Sequence, residues 1–122
     1  MANRHRGEIE AEIGGRSYTL CLTLGALAEI EGAYGDDDMI AIAERFEKGR
    51  IGASDAIRVI GAGLRGAGNA ISNDEVAAMT VAGGAAGYLG IVARLLTATF
   101  VAAEGQSGNA AAPRGKASPG GA

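Results

Sequence analysis

The sequence is poor in aromatic side chains: two Phe, three Tyr and no Trp among 122 residues. Large aromatic anchors are therefore scarce, and a core has to be assembled from Ala, Leu, Ile and Val, with 21 Gly allowing helices to approach closely. Proline is absent before Pro113, so none interrupts an element in the patterned part of the chain. Cys21 is the only cysteine. One thiol closes no internal disulfide, which excludes a disulfide-stapled secreted scaffold. No apolar segment follows the polar opening Asn3, Arg4, His5 and Arg6, so no secretory signal is read and a cytoplasmic origin is expected. A strong excess of positive charge is also missing. Eleven Lys and Arg against fourteen Asp and Glu give a formal charge of −3, which argues against direct, electrostatically driven nucleic-acid binding.

What is present is a change of period. Glu8, Glu10 and Glu12 alternate with Ile9, Ala11 and Ile13, and Ser17 to Leu22 alternates again with Tyr18, Leu20 and Leu22 apolar. Gly14-Gly15 between them is a hairpin signal, because both glycines tolerate positive φ. The short loop pairs Ile13 with Arg16, Ala11 with Tyr18 and Ile9 with Leu20, which puts the apolar residues of both strands on one face. A lone hairpin is marginal, so this face must pack on helices or on another chain.

At Thr23 the spacing becomes helical. Thr23 is a plausible N-cap, with Leu24, Leu27, Ala28 and Tyr34 along one side, Ile30 beside them and Gly35 at the stop. Asp36-Asp37-Asp38 can cap a second helix whose stripe is Met39, Ile42, Ala43 and Phe46, ending at Lys48-Gly49. Ser54 is read as the cap of a third helix through Ile57, Ile60 and Leu64. Ser72-Asn73-Asp74-Glu75 fits a capping box for a short helix through Val76 and Met79 that stops at Gly83-Gly84. A longer helix follows from Ala85 to Ala103, carried by Leu89, Val92, Leu96 and Phe100. The fold expected is α+β: an N-terminal β-hairpin, four or five short α-helices and a disordered C-terminal tail. Residues 1–6 form a mobile start, 7–104 a single hairpin-plus-helices domain, and 105–122 a disordered Gly/Ala/Pro-rich tail.

The motifs favour packing over chemistry. Gly61-Ala62-Gly63-Leu64-Arg65-Gly66 matches GxGxxG, but a dinucleotide site needs a strand-to-helix turn within a βαβ unit and an acidic residue ~20 positions on. Neither context is present, and a helix packed closely through small residues is the better reading. The stretch from Val76 to Ala103 carries one charge, Arg94. A central Arg costs about 2.5–3.5 kcal/mol on insertion scales, which Ala and Gly hardly offset, so no membrane span is expected. Asp36-Asp37-Asp38 lacks the Gly and distal Glu of an EF-hand loop, and His5 and Cys21 have no companion ligands, so neither metal nor cofactor is expected. Cys21 lacks a positioned base, and no catalytic constellation is found.

One stretch also carries a family likeness. Thr23-Leu24-Gly25-Ala26-Leu27-Ala28-Glu29-Ile30-Glu31 after a hairpin, with Arg4-His5-Arg6-Gly7-Glu8, Ala43-Glu44-Arg45-Phe46 and the Ile60 to Gly68 run, resembles the gene transfer agent family of small phage-tail proteins. These belong to the tail-gene clusters of gene transfer agents and related alphaproteobacterial prophages. The likeness extends from Gly7 to about Phe100. It implies a non-enzymatic role in tail morphogenesis, as a tail assembly chaperone that binds tape-measure and tube proteins, or alternatively as a tube or connector component retained in the particle. Self-association is expected because the last helix is apolar on more than one side. The residues expected to meet a partner are Ile9, Ile13, Tyr18, Thr19, Leu20, Leu22, Leu24 and Leu27, on the hairpin and the helix after it. Unpaired strand edges there would invite strand addition.

Overall fold

A computed structural model describes residues 6–35 and 37–110, with side chains through Phe100. The chain folds as α+β, a two-stranded antiparallel hairpin followed by five helices. Strands β1 (Glu8–Ile13) and β2 (Arg16–Cys21) pair Ile13 with Arg16, Ala11 with Tyr18 and Ile9 with Leu20, as the loop length requires. Gly14 and Gly15 adopt φ of 62° and 81°, the left-handed pair that matches the twist of the strands.

Helix α1 (Leu24–Ala33) opens on Thr23, whose hydroxyl accepts the Ala26 N–H at 3.1 Å, and closes with Gly35 at φ 74°. Its buried face differs from the expected one. Ala26 and Ile30 point inward, Leu27 and Tyr34 lie at the boundary, and Leu24 is 84% exposed. The reason is close packing on the third helix: Ala26 stands against Gly66, a fit that a larger side chain would not permit.

Helix α2 (Met39–Glu47) is capped by Asp38, which accepts the Ala41 N–H at 2.9 Å. Ile42 and Phe46 are its buried positions. Helix α3 (Ala53–Gly66) starts earlier than expected. Gly52, and not Ser54, is the N-cap, and the Asp55 carboxylate accepts the Gly52 N–H at 2.7 Å. Helix α4 (Asn73–Ala77) has the expected reciprocal cap, Ser72 Oγ to the Glu75 N–H and Glu75 Oε1 to the Ser72 N–H. It ends at Ala77 and does not run on to Gly83-Gly84. The Thr80 carbonyl accepts the Gly14 N–H at 2.7 Å, and the Tyr88 hydroxyl donates to the Met79 carbonyl, which draws this segment out along the hairpin turn.

Helix α5 (Gly84–Ala110) is longer than the Ala85 to Ala103 expected from its apolar spacing. Residues 105–110 of the expected disordered tail are the end of this helix; the rest of that tail, from 111 on, lies outside the described residues, as do residues 1–5 of the expected mobile start 1–6. Among the described residues, no helix is long and apolar enough to cross a membrane.

The organising element is α3. Val59, Ile60, Ala62 and Leu64 are fully buried, and the helix packs on β2, α1, α4 and α5. The apolar face of the hairpin closes this core from one side, while Val92 and Leu95 of α5 close it from another. Burying a Leu or Ile side chain stabilises by about 1.5–3 kcal/mol, so this shared core and not the hairpin ladder carries the fold.

Candidate assembly surface

The eight residues expected to meet a partner do not form one outward surface. Ile9, Ile13, Leu20 and Leu22 are 6%, 1%, 0% and 6% exposed and belong to the core. Tyr18, Thr19 and Leu27 are half-buried. Leu24 alone of the set is fully presented to solvent.

The strand edges are also occupied from within the chain. With Ile13 and Arg16 as the closely bonded pair beside the turn, alternate residues turn their backbone groups outward: Glu8, Glu10 and Glu12 on β1, and Ser17, Thr19 and Cys21 on β2. The Thr19 carbonyl accepts from Asn69 Nδ2 at 3.0 Å. The Cys21 carbonyl lies so near Gly66 that a Cβ there would come within 2.1 Å of its oxygen. The Glu10 carbonyl accepts from the Arg94 guanidinium. Strand addition at Thr19 or Glu10 would have to displace a bond that already satisfies the carbonyl, and at Cys21 it would meet α3. Cys21 is half-buried and its thiol donates to the Arg6 carbonyl at 3.5 Å; burial and the nearby Glu8 carboxylate raise its pKa, which disfavours the thiolate.

The GxGxxG glycines all lie inside α3, each facing a different neighbour. An added Cβ would stand 2.1 Å from Asn73 Oδ1 at Gly61, 2.6 Å from Leu95 Cδ2 at Gly63 and 2.1 Å from the Cys21 oxygen at Gly66. The motif is a set of close-approach positions for α4, α5 and β2. Among the described residues, no cluster of His, Cys, Asp or Glu is arranged to hold a metal ion.

A buried carboxylate sets the position of α2. Asp55 is 6% exposed and accepts from the Tyr34 hydroxyl and the Gly52 N–H. Arg45 of α2 and Arg58 of α3 approach it at 3.8 and 4.0 Å. Both guanidinium groups also stack over the Tyr34 ring, at 5.3 and 5.5 Å from its centroid. Burial alone would raise the Asp55 pKa. The Tyr34 and Gly52 hydrogen bonds and the two arginines outweigh it and hold the carboxyl below its usual value. The Tyr34 phenol is pushed up to about 12, first by burial and then by its bond to the Asp55 carboxylate. The cluster therefore links α1, α2 and α3 through one anion.

Held this way, α2 leaves an apolar groove of about 510 Å³ between itself and α5. Ile40, Ala43 and Phe46 form one wall, Val92, Leu96 and Phe100 the other, and Glu44 and Glu47 stand at the rim. A second hollow of about 270 Å³, between the start of α3, α4 and the start of α5, is lined by Ala56, Ile57, Val76, Tyr88 and Leu89. Ile51 lines both. The second apolar side of the last helix is legible in the sequence, but its pairing with α2 into a groove is not. On α5, Ile91, Leu95 and Ala98 face the core, while Leu89, Ala93 and Phe100 belong to a second apolar row that lines the hollows.

No curated protein and no solved structure matches the chain. A family model does, over residues 6–102, and it is described as phage tail tube protein, GTA-gp10. That span takes in every described element from the hairpin to most of α5, and the chain belongs to this family of gene transfer agent phage-tail proteins.

Proposed function

We propose that the protein is a structural tail component, a tube or connector subunit retained in the particle, acting through protein–protein contacts and without catalysis. The observation that carries this reading is the match to a tail tube family over residues 6–102. The groove beside α5 supports it by offering an apolar contact surface outside the core. Self-assembly and contact with other tail proteins follow from the same reading. Of the hairpin-side residues, Leu24 is the exposed apolar position available for such contacts, with half-buried Leu27 and Tyr18 nearby on the same elements.

The second reading is a tail assembly chaperone that binds tape-measure and tube proteins and then leaves. One observation favours it. Among the described residues, the sheet has two strands, its edges are met at Thr19, Cys21 and Glu10, and the exposed large apolar residues are Leu24, Ile40 and Leu89. Obligate interfaces are usually large and strongly apolar, and three separate exposed apolar residues suit a transient contact better. Quantitative mass spectrometry of purified particles separates the two. A fixed stoichiometry relative to the other tail proteins supports the structural reading. Absence from the particle, with tail assembly failing when the gene is deleted, establishes the chaperone instead.

A further inference from the structure

The two hollows lie end to end along α5 with Ile51 between them, and their linings together follow the helix from Ala85 to Phe100. At 1.5 Å per residue this is a track of about 22 Å, the length of a four-turn helix. Small side chains lie along it, among them Ala43, Ala53, Ala93 and Thr97, so a second backbone can come close. Ile40 and Leu89, 66% and 41% exposed, stand at its margins.

Charge at the track is of one sign. Among the described residues, Glu44 and Glu47 are the only charged ones that line either hollow, both are exposed, and neither has an ion-pair partner. Lys48 and Arg50, just past the end of α2, are exposed but line neither hollow, and the arginines of the flanking helices are turned elsewhere. Arg45 and Arg58 face Asp55 and Tyr34, and Arg94 donates to the Glu10 carbonyl on the hairpin side.

We infer that this track is a docking groove for an amphipathic helix of a partner protein, one whose apolar stripe is flanked by Lys or Arg on the side that meets α2. The apolar row of α5 takes the stripe, in the helix-in-groove mode of recognition. Glu44 and Glu47 select the flanking charge and orient the helix. The inference holds whether the protein remains in the particle or leaves it, because it concerns which surface is used and what chemistry it accepts.

The test uses the full chain and synthetic helical peptides about 18 residues long. One peptide has a Leu stripe flanked by Lys, a second has the same stripe flanked by Glu, and a third has the Lys composition with the stripe scrambled. Binding is read by fluorescence anisotropy at low and moderate salt. The Lys-flanked peptide should bind about fivefold more tightly than the Glu-flanked one, in line with two solvent-exposed ion pairs, and the gap should narrow with salt. The scrambled peptide should not bind. In the double variant Glu44→Lys/Glu47→Lys the preference should reverse, and Ala93→Trp, which fills the groove, should abolish binding of both striped peptides. Circular dichroism checks that each variant remains folded. Failure of both striped peptides to bind, a preference that does not reverse, or undiminished binding by folded Ala93→Trp overturns the inference. So does a concentration-dependent dimer that Ala93→Trp abolishes, because the groove is then occupied by a second copy of this chain.

Discussion

Substituting Gly66 and Gly90 by Ala asks whether α3 is placed by close approach to β2. Both glycines lie in helices, where Gly→Ala is worth up to about 1 kcal/mol through propensity alone. At Gly90 a Cβ meets nothing within 4 Å, so Gly90→Ala should stabilise by about that amount. At Gly66 the Cβ would come within 2.1 Å of the Cys21 carbonyl oxygen and 3.4 Å of the Ala26 Cβ. A backbone carbonyl in a paired strand cannot swing aside as a side-chain end can. Relief requires α3 to move off the hairpin, an overpacking cost of about 1–3 kcal/mol. Gly66 is the last residue of its helix, so the propensity gain there is small, and Gly66→Ala should destabilise by about 1–3 kcal/mol. Urea unfolding followed by far-UV circular dichroism measures both, and each kcal/mol corresponds to about 4–8 °C in Tm for a domain of this size. The two sites share no contacts, so the double variant should show the sum of the single effects. If Gly66→Ala stabilises as much as Gly90→Ala, the close approach of α3 to β2 is refuted, and with it the account of why Ala26 faces inward.

Asp55→Asn should cost about 2 kcal/mol at neutral pH, since the charge-assisted bonds from Tyr34 and Gly52 weaken while the half-exposed Arg45 and Arg58 can rehydrate. Because folding lowers the Asp55 pKa, its contribution is present above the unfolded value of about 3.9 and is lost as pH falls through the folded value; the gap between wild type and variant in urea titrations should therefore begin to close below about pH 4 and go on closing as pH falls further. Tyr34 has its pKa raised, so its contribution is complete below about pH 10 and lost as pH rises toward 12, and Tyr34→Phe should remove that part of the alkaline decline in the same titrations. Thr23→Ala should destabilise by about 1 kcal/mol through loss of the cap on α1, whereas Leu24→Ser, at an exposed position, should stay within about 0.5 kcal/mol of wild type; equal effects in urea unfolding would show the cap to be inert. Sedimentation velocity over a wide concentration range should show association of the full chain, and a monomer throughout would remove the expected self-assembly.

Local geometry is legible in short-range pattern. Alternation on either side of Gly14-Gly15 sets the hairpin register, since a two-residue turn leaves one pairing that puts Ile9, Ile13 and Leu20 on the same face. Thr23, Asp38 and the Ser72–Glu75 pair start helices through bonds that span three residues, which makes them readable without any tertiary contact. Other features depend on contacts between distant segments. Which side of α1 turns inward depends on Ala26 meeting Gly66; the start of α3 has its own three-residue bond from Gly52 to Asp55, but that carboxylate's burial beside Tyr34 and two arginines is tertiary. The end of α4 depends on Thr80 reaching Gly14. The strand edges expected to be open are filled by Asn69 and Arg94, which lie 50 and 84 residues away from their partners along the chain. The candidate groove arises where α2 and α5 fail to close on one another, a gap between distant helices that no local period records. Periodicity reports which residues are apolar; what covers them is decided by packing among segments far apart in the chain.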